Sequence, residues 1–239
     1  MQSEYSISLV IPAYNEEEIM EDTLNICERY LRSITGNYEI IIVDDGSIDK
    51  TGEIIDRYAS NHPYVRPIHN ILNEGSGKSL FIGLKKARYD FIITNFIDLP
   101  FDLRELNNIL PLFKDPGVDF INVTRKNRKA NPFFRKITSW LNYWFIRIIF
   151  NIKIGDFQFV QVYRKRVLDT INVQSSGTFV PPEIIIKALH TGFKMYEYNT
   201  DFHPRLAGTS KCGNPKTIIE TICEITKFWF SWILLRKRA

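Results

Sequence analysis

Absences set the first limits on this chain of 239 residues. No run of about 18 uncharged apolar residues occurs, so no simple membrane-spanning helix is expected. The nearest approach, the tail TIIETICEITKFWFSWILLRKRA, is interrupted by Glu220, Glu224 and Lys227, and should lie on something rather than span it. Cysteine is scarce: Cys27, Cys212 and Cys223 form neither an even set nor a metal-ligand spacing, which argues for free thiols in a reducing compartment. A strong excess of one charge is missing too. With 31 Lys+Arg against 27 Asp+Glu the net is +4, and no nucleic-acid-binding module is visible, so no nucleic acid is expected as partner. The opening MQSEYSISLVIPAYNEEE has no basic stretch followed by an apolar one and a small-residue cleavage site, so no export signal is expected.

One missing glycine decides an early question. Gly75-Ser76-Gly77-Lys78-Ser79 looks like the phosphate loop of an ATPase, but that pattern needs a glycine where Leu72 stands. The backbone must turn tightly there to aim several N–H groups at one phosphate, which Leu does poorly. The glycines must serve something else, and Lys78 reads as a surface or helix-start residue.

What is present is regular. ISLVIPAY, YEIIIVDDG, VRPIHNI and DFIITNFID read as buried strands, separated by helices EEEIMEDTLNICERYLRSI, DKTGEIIDRYASN and GKSLFIGLKKA. Near-continuous Val/Ile strands alternating with single helices imply an α/β fold, a mostly parallel sheet covered on both faces. Ligands of such sheets gather at the carboxyl ends of the strands. Here those ends are Ala13 to Glu16, Asp44 to Ser47, Asn73 to Gly77, and Asp98. Asp44 and Asp45 form a cup of acceptors suited to the N–H groups of a base or the hydroxyls of a ribose, although Ser47 or Asp49 also suits a helix cap.

The segments IPAYNEEE, VDDGSIDKT, NEGSGKSLFIGLKKA and, far downstream, PRLAGTSK together resemble an inverting GT-A glycosyltransferase of the polyprenyl-phosphate sugar transferase type, similar to dolichol-phosphate mannosyltransferases. The resemblance runs from about Ser6 to Lys216. It implies a Rossmann-like GT-A fold and a donor that is a UDP- or GDP-linked sugar. Pro12, Tyr14, Glu16, Asp44 and Asp45 would hold base and ribose, with Gly75 and Gly77 allowing close backbone approach. Arg205 and Lys211 in RLAGTSK would close over the donor diphosphate and stabilise the leaving group. Arg125 in NVTRK and Arg135 in PFFRK would meet the acceptor phosphate. Asp156 and Gln158 match a segment whose job is either sugar recognition or strand-end structure.

The departure from the family lies in TNFIDLPFDLREL, where the family usually has D-A-D followed by a polar residue. Here the pair reads Phe96-Ile97-Asp98, followed by Pro100. Asp98 is then the residual ligand for Mg²⁺ or Mn²⁺, which one carboxylate and diphosphate oxygens can hold, more weakly than a fuller set. Asp102 is the alternative carboxylate, or the N-cap of the next helix. Two readings follow: a transferase with weakened or dispensable metal, or a catalytically silent module that keeps the fold.

Residues 1–216 read as one domain and 217–239 as an amphipathic helix. The stripe Ile218, Ile222, Ile225, Trp229 and Ile233 precedes Arg236, Lys237 and Arg238. A second aromatic and basic stretch, KITSWLNYWFIRIIFNIK, sets Trp140, Trp144 and Ile148 one above the other, in a region from Arg125 to Lys153 without an acidic residue. Both suit the headgroup boundary of a membrane or the core. The expectation is a peripheral protein on the cytoplasmic membrane face that meets a polyprenyl phosphate there. A membrane subunit or a second copy is the alternative partner for the tail.

Overall fold

A computed structural model of the chain describes residues 5–125, 147, 150, 152, 154, 156, 157, 159–201 and 215–236. The Val/Ile runs form β1 (Ser6–Ala13), β2 (Asn37–Asp44), β3 (Val65–His69) and β4 (Phe91–Thr94), and between them lie α1 (Met20–Ile34), α2 (Thr51–Asn61) and α3 (Ser76–Lys86). These strands pair in parallel in the order β3-β2-β1-β4. The chain steps outward from β1 to β3 and then returns to β1's other side with β4. Such a reversal opens a crevice at the strands' carboxyl ends, between the loops after β1 and β4.

Beyond β4 come α4 (Leu106–Ile109) between two 3-10 turns, β5 (Phe120–Arg125), β6 (Val160–Arg164), α5 (Lys165–Thr170), α6 (Val180–His190), β7 (Met195–Thr200) and α7 (Pro215–Arg236). Strand β6 runs antiparallel between β4 and β5, and β7 lies parallel to β5 at the edge. The sheet, of seven strands among the described residues, is therefore mixed but mostly parallel.

Alternation of side chains along each strand divides the core in two. Leu9, Ile11, Ile40 and Ile42 meet Leu24, Cys27 and Leu31 of α1 and Ile55 of α2 on one face. Val10, Ile41 and Val43 face the other, with Leu80 and Leu84 of α3, Ile184 of α6, and Ile225 and Phe228 of α7. Each such buried side chain contributes about 1.5–3 kcal/mol.

Two boundaries differ from expectation. Helix α1 begins at Met20 rather than near Glu16, because the backbone around Glu16 and Glu17 is engaged by the loop after β2 instead of starting a helix. Helix α7 lies against the second core face, with Thr221, Ile225 and Phe228 buried and Trp229 and Trp232 packed beside them. The expected stripe is thus split: Ile225 faces inward, whereas Ile222 is 51% exposed, as is Phe230 at 57%.

Candidate functional site

The register sets Ala13 level with Asp44, and Asp44 level with His69, so the loops after β1 and β2 leave the sheet side by side. They are laced to each other through side chains. Asn15 N–H donates to Ser47 Oγ at 3.0 Å, and Asn15 Oδ1 accepts from Ile48 N–H at 2.9 Å. Glu16 N–H donates to Thr51 Oγ1 at 2.8 Å, while Glu17 Oε2 accepts from Lys50 N–H at 3.0 Å. Asn15 sits at φ 51, a left-handed conformation that Asn tolerates better than most residues. Asp49 accepts from Glu17 and Thr51; burial pushes its carboxyl up, but those bonds outweigh burial and hold it below its usual value.

Pro12 is buried in β1, and Tyr14 and Glu16 are half-buried in the loop that follows. Asp44 accepts from Ser47 N–H at 3.0 Å through Oδ1 and lies 3.0 Å from His69 Nδ1 through Oδ2. The other ring nitrogen of His69 is 3.0 Å from Asp56 of α2. Asp45, only 2% exposed, is filled by the protein itself: Oδ1 accepts from Asn70, Glu74 N–H and Ser79 Oγ, and Oδ2 from Gly75 N–H at 2.9 Å. Its carboxylate therefore shapes the turn before α3.

That turn accounts for the phosphate-loop likeness. Gly75 takes φ 93, a conformation side chains rarely adopt. Gly77 is needed for contact, since a Cβ there would lie 1.7 Å from the Gly177 carbonyl oxygen. Ser79 is buried in the Asp45 network, and Lys78 pairs with Glu74 at 2.6 Å with its side chain 45% exposed.

The turn after β4 is built differently. Asn95 bonds Phe96 N–H and the Phe101 carbonyl, Leu99 takes φ 42, and Ile97 and Phe101 are buried. Asp98 is half-buried there. Asp102 caps the following 3-10 turn, accepting from Arg104 N–H at 2.9 Å and pairing with the Arg104 side chain, and so takes the capping alternative. Among the described residues no group of three or more His, Cys, Asp or Glu could hold a metal ion. A divalent ion held beside Asp98 would therefore take its remaining ligands from diphosphate oxygens and water rather than from a cage of protein carboxylates.

Arg125, at the end of β5, bonds Asp156 at 2.7 Å and lies over the Phe159 ring at 5.2 Å. Asp156 is 4% exposed, and its carbonyl accepts from Asn122 of β5 at 2.7 Å. Arg135, Gln158, Arg205 and Lys211 lie outside the described residues, as do Trp140, Trp144 and Ile148. Sequence reasoning missed Asn15, Thr51, His69, Asn70 and Ser79. Their signal was faint: small polar residues directly flanking the two acidic motifs.

A cleft of about 580 Å³ lined by Glu28, Arg32, Tyr38, His62 and Tyr64 opens where β2 begins, at the opposite edge of the sheet. Its Glu28 carboxylate is engaged by Tyr58 and His62, and it shares no residue with the strand-end loops.

The family model described as glycosyl transferase family 2 matches residues 8–170. Glycosyltransferase AglD of Haloferax volcanii is 25% identical over 232 residues, covering 94% of this chain and 37% of that protein. The undecaprenyl-phosphate 4-deoxy-4-formamido-L-arabinose transferase of Photorhabdus laumondii subsp. laumondii is 31% identical over 183 residues, covering 73% of this chain and 54% of that protein. The chain thus spans about half, or less, of the length of these relatives. Among solved structures, glucosyl-3-phosphoglycerate synthase from Mycobacterium tuberculosis with Mn²⁺ and UDP-glucose aligns with a TM-score of 0.69 at 16% identity, over 94% of this chain and 79% of that one. Mannosyl-3-phosphoglycerate synthase from Rubrobacter xylanophilus aligns with a TM-score of 0.68 at 14% identity, over 95% and 74%. These likenesses show the fold.

Proposed function

The chain belongs to glycosyl transferase family 2 and carries a GT-A α/β fold, and from that premise we propose that it transfers a sugar from a nucleoside diphosphate sugar to a polyprenyl phosphate, with inversion. The observation that carries the donor half is the mutual lacing of the loops after β1 and β2, which fixes the edge that carries Tyr14, Glu16 and Asp44. A site fixed before binding loses little entropy on meeting its ligand. The relatives named for undecaprenyl phosphate support the acceptor half.

In the reaction, an oxygen of the acceptor phosphate attacks the anomeric carbon from the face opposite the diphosphate. The new carbon–oxygen bond forms as the bond to the nucleoside diphosphate breaks, and the electron pair leaves with the diphosphate. A phosphate already ionised at neutral pH needs no general base. Arg205 and Lys211 would hold the departing diphosphate, and Arg125 and Arg135 would orient the acceptor. Mg²⁺ or Mn²⁺, held by Asp98 and donor oxygens, would supply further positive charge against the leaving group.

No helix among the described residues is long and apolar enough to cross a membrane. The outward residues of α7, including Ile222, Lys227 and Phe230, would meet the cytoplasmic membrane surface or a partner, with Arg236, Lys237 and Arg238 adding attraction of about 1 kcal/mol each to anionic lipid. Calorimetric titration with UDP and GDP, each with Mn²⁺ and again with EDTA, tests the donor site. Binding of one nucleotide is expected; binding of neither overturns the reading in favour of a silent module, which the absence of a carboxylate at Phe96 would explain. Radiolabelled sugar transfer to a polyprenyl phosphate, with Asp98→Ala as control, tests the reaction.

A further inference from the structure

The loop between α5 and α6 shows an unusual use of acidic residues. Four successive backbone N–H groups, those of Gln174, Ser175, Ser176 and Gly177, donate to carboxylates. Glu183 of α6, fully buried, takes the first two at 2.9 and 2.8 Å. Glu224 of α7 takes the other two, at 3.0 and 2.8 Å, together with Ser176 Oγ at 3.2 Å. All three of these bonds to Glu224 end on Oε1, while Oε2 is buried with no partner among the described residues. A buried oxygen left unpaired is costly, so the bonds on Oε1 must outweigh that cost.

The loop so held is what the donor turn rests on. A Cβ on Gly77 would lie 1.7 Å from the Gly177 oxygen and 2.9 Å from the Ser176 oxygen, so the start of α3 abuts the backbone that Glu224 fixes. On its other side the same turn is held by Asp45, through Glu74 N–H and Gly75 N–H. A second tie joins helix and loop, with Thr178 and Thr221 hydroxyls 2.7 Å apart.

We propose that Glu224 is a positioning residue for nucleotide binding: through the 174–177 loop, the docked C-terminal helix sets the shape of the Gly75–Gly77 turn. The proposal rests on the reading of that turn as part of the donor site. Helix α7 has an outward side exposing Ile222 and Phe230, and Glu224, beside the Thr178–Thr221 and Gln174–Ser231 contacts, links that helix to the loop under the turn. In sequence, Glu224 reads only as an interruption of an apolar stripe.

The test uses the full chain without ligand and then with nucleotide. Hydrogen exchange of wild type, Glu224→Ala and Glu224→Gln is followed over residues 73–80 and 174–178. Glu224→Ala should speed exchange about tenfold or more in both segments, leaving β5 and β7 unchanged. Glu224→Gln keeps an acceptor oxygen and should stay within about threefold of wild type. The nucleotide that wild type binds with Mn²⁺ should bind Glu224→Ala about tenfold more weakly, or about 1.4 kcal/mol, with Glu224→Gln again restoring it. Faster exchange confined to 174–178, or a Gln variant as impaired as Ala, overturns the proposal. Should Glu224→Ala not fold, Glu224→Asp, which draws the carboxylate back from both amides, should accelerate residues 73–80 to a smaller degree, and its failure to do so is equally decisive. If wild type binds neither UDP nor GDP, the donor reading fails, while the exchange comparison still decides whether Glu224 controls the turn.

Discussion

The turns that close β1 and β2 and the turn that closes β4 stand on the same edge of one sheet but are held by different forces. In the first pair, backbone amides of Asn15, Glu16, Glu17, Ile48 and Lys50 each find a side-chain acceptor on the opposite loop. After β4, Asn95 and Asp102 bond their own neighbours, Thr23 reaches the Ile97 carbonyl, and apolar burial of Ile97 and Phe101 does the rest. The β1–β2 side of the crevice is thus a polar lattice whose members depend on one another. The β4 side hangs on packing, so replacing the half-buried Asp98 there should disturb folding little; if Asp98 serves the donor as proposed, the change should alter binding instead.

Substitutions should separate the two. Asp45→Ala should have the largest effect: it strips the acceptor from Asn70, Glu74 N–H, Gly75 N–H and Ser79 at once. Because each buried donor left unpaired costs about 1–3 kcal/mol, a loss of about 3 kcal/mol or more is expected as a lower urea midpoint at unchanged slope. A loss under about 1 kcal/mol would mean that water replaces the carboxylate and that the lattice is not cooperative. Gly77→Ala comes next, at about 2–3 kcal/mol, since its methyl group meets backbone rather than a movable side chain. Nucleotide affinity should fall with it. Asp98→Ala should change stability by about 1 kcal/mol or less while abolishing the difference between nucleotide binding in Mn²⁺ and in EDTA. If Asp98→Ala unfolds as readily as Asp45→Ala, the contrast between the two sides is broken.

The same contrast explains what was legible in the sequence. Strands β1, β2 and β4 are apolar runs whose burial is read from composition, and their alternation with helices fixes a parallel sheet. The antiparallel insertion of β6 is invisible there, because VQVYR has a strand pattern but nothing local names its neighbours. At the site, Asp44, Asp45 and Glu16 stand out as acidic residues at strand ends. That Asp45 is spent on the chain's own donors depends on Asn70 after β3 and Ser79 of α3 reaching it. Gly77 reads as a residue that lets backbone approach closely, but the sequence does not name the backbone that does so, Gly177, a hundred positions on. The pairing of Arg125 with Asp156 has the same origin: each was visible singly, and the contact between them was not.

The finest probe of the contrast is pH, because His69 belongs to the laced side alone. Partial burial opposes protonation of His69, but its bonds to Asp44 and Asp56 prevail and raise its pKa above the ordinary 6.5. With the folded value above the unfolded one, the bridge contributes fully below about pH 6.5 and is lost as pH rises through the folded pKa. The side chain is 38% exposed, so solvent screening limits the contribution to about 1 kcal/mol or less. Unfolding midpoints of wild type should therefore decline from about pH 6 to about pH 8 more than those of His69→Gln, which keeps polar contacts without the charge. Nucleotide affinity should follow the same decline, since Asp44 loses a cationic partner that fixes its orientation. The turn after β4 contains no histidine, so the Mn²⁺-dependent increment of binding should stay flat over that range; an increment that declines in step with stability would mean that the two sides of the crevice are one cooperative unit after all.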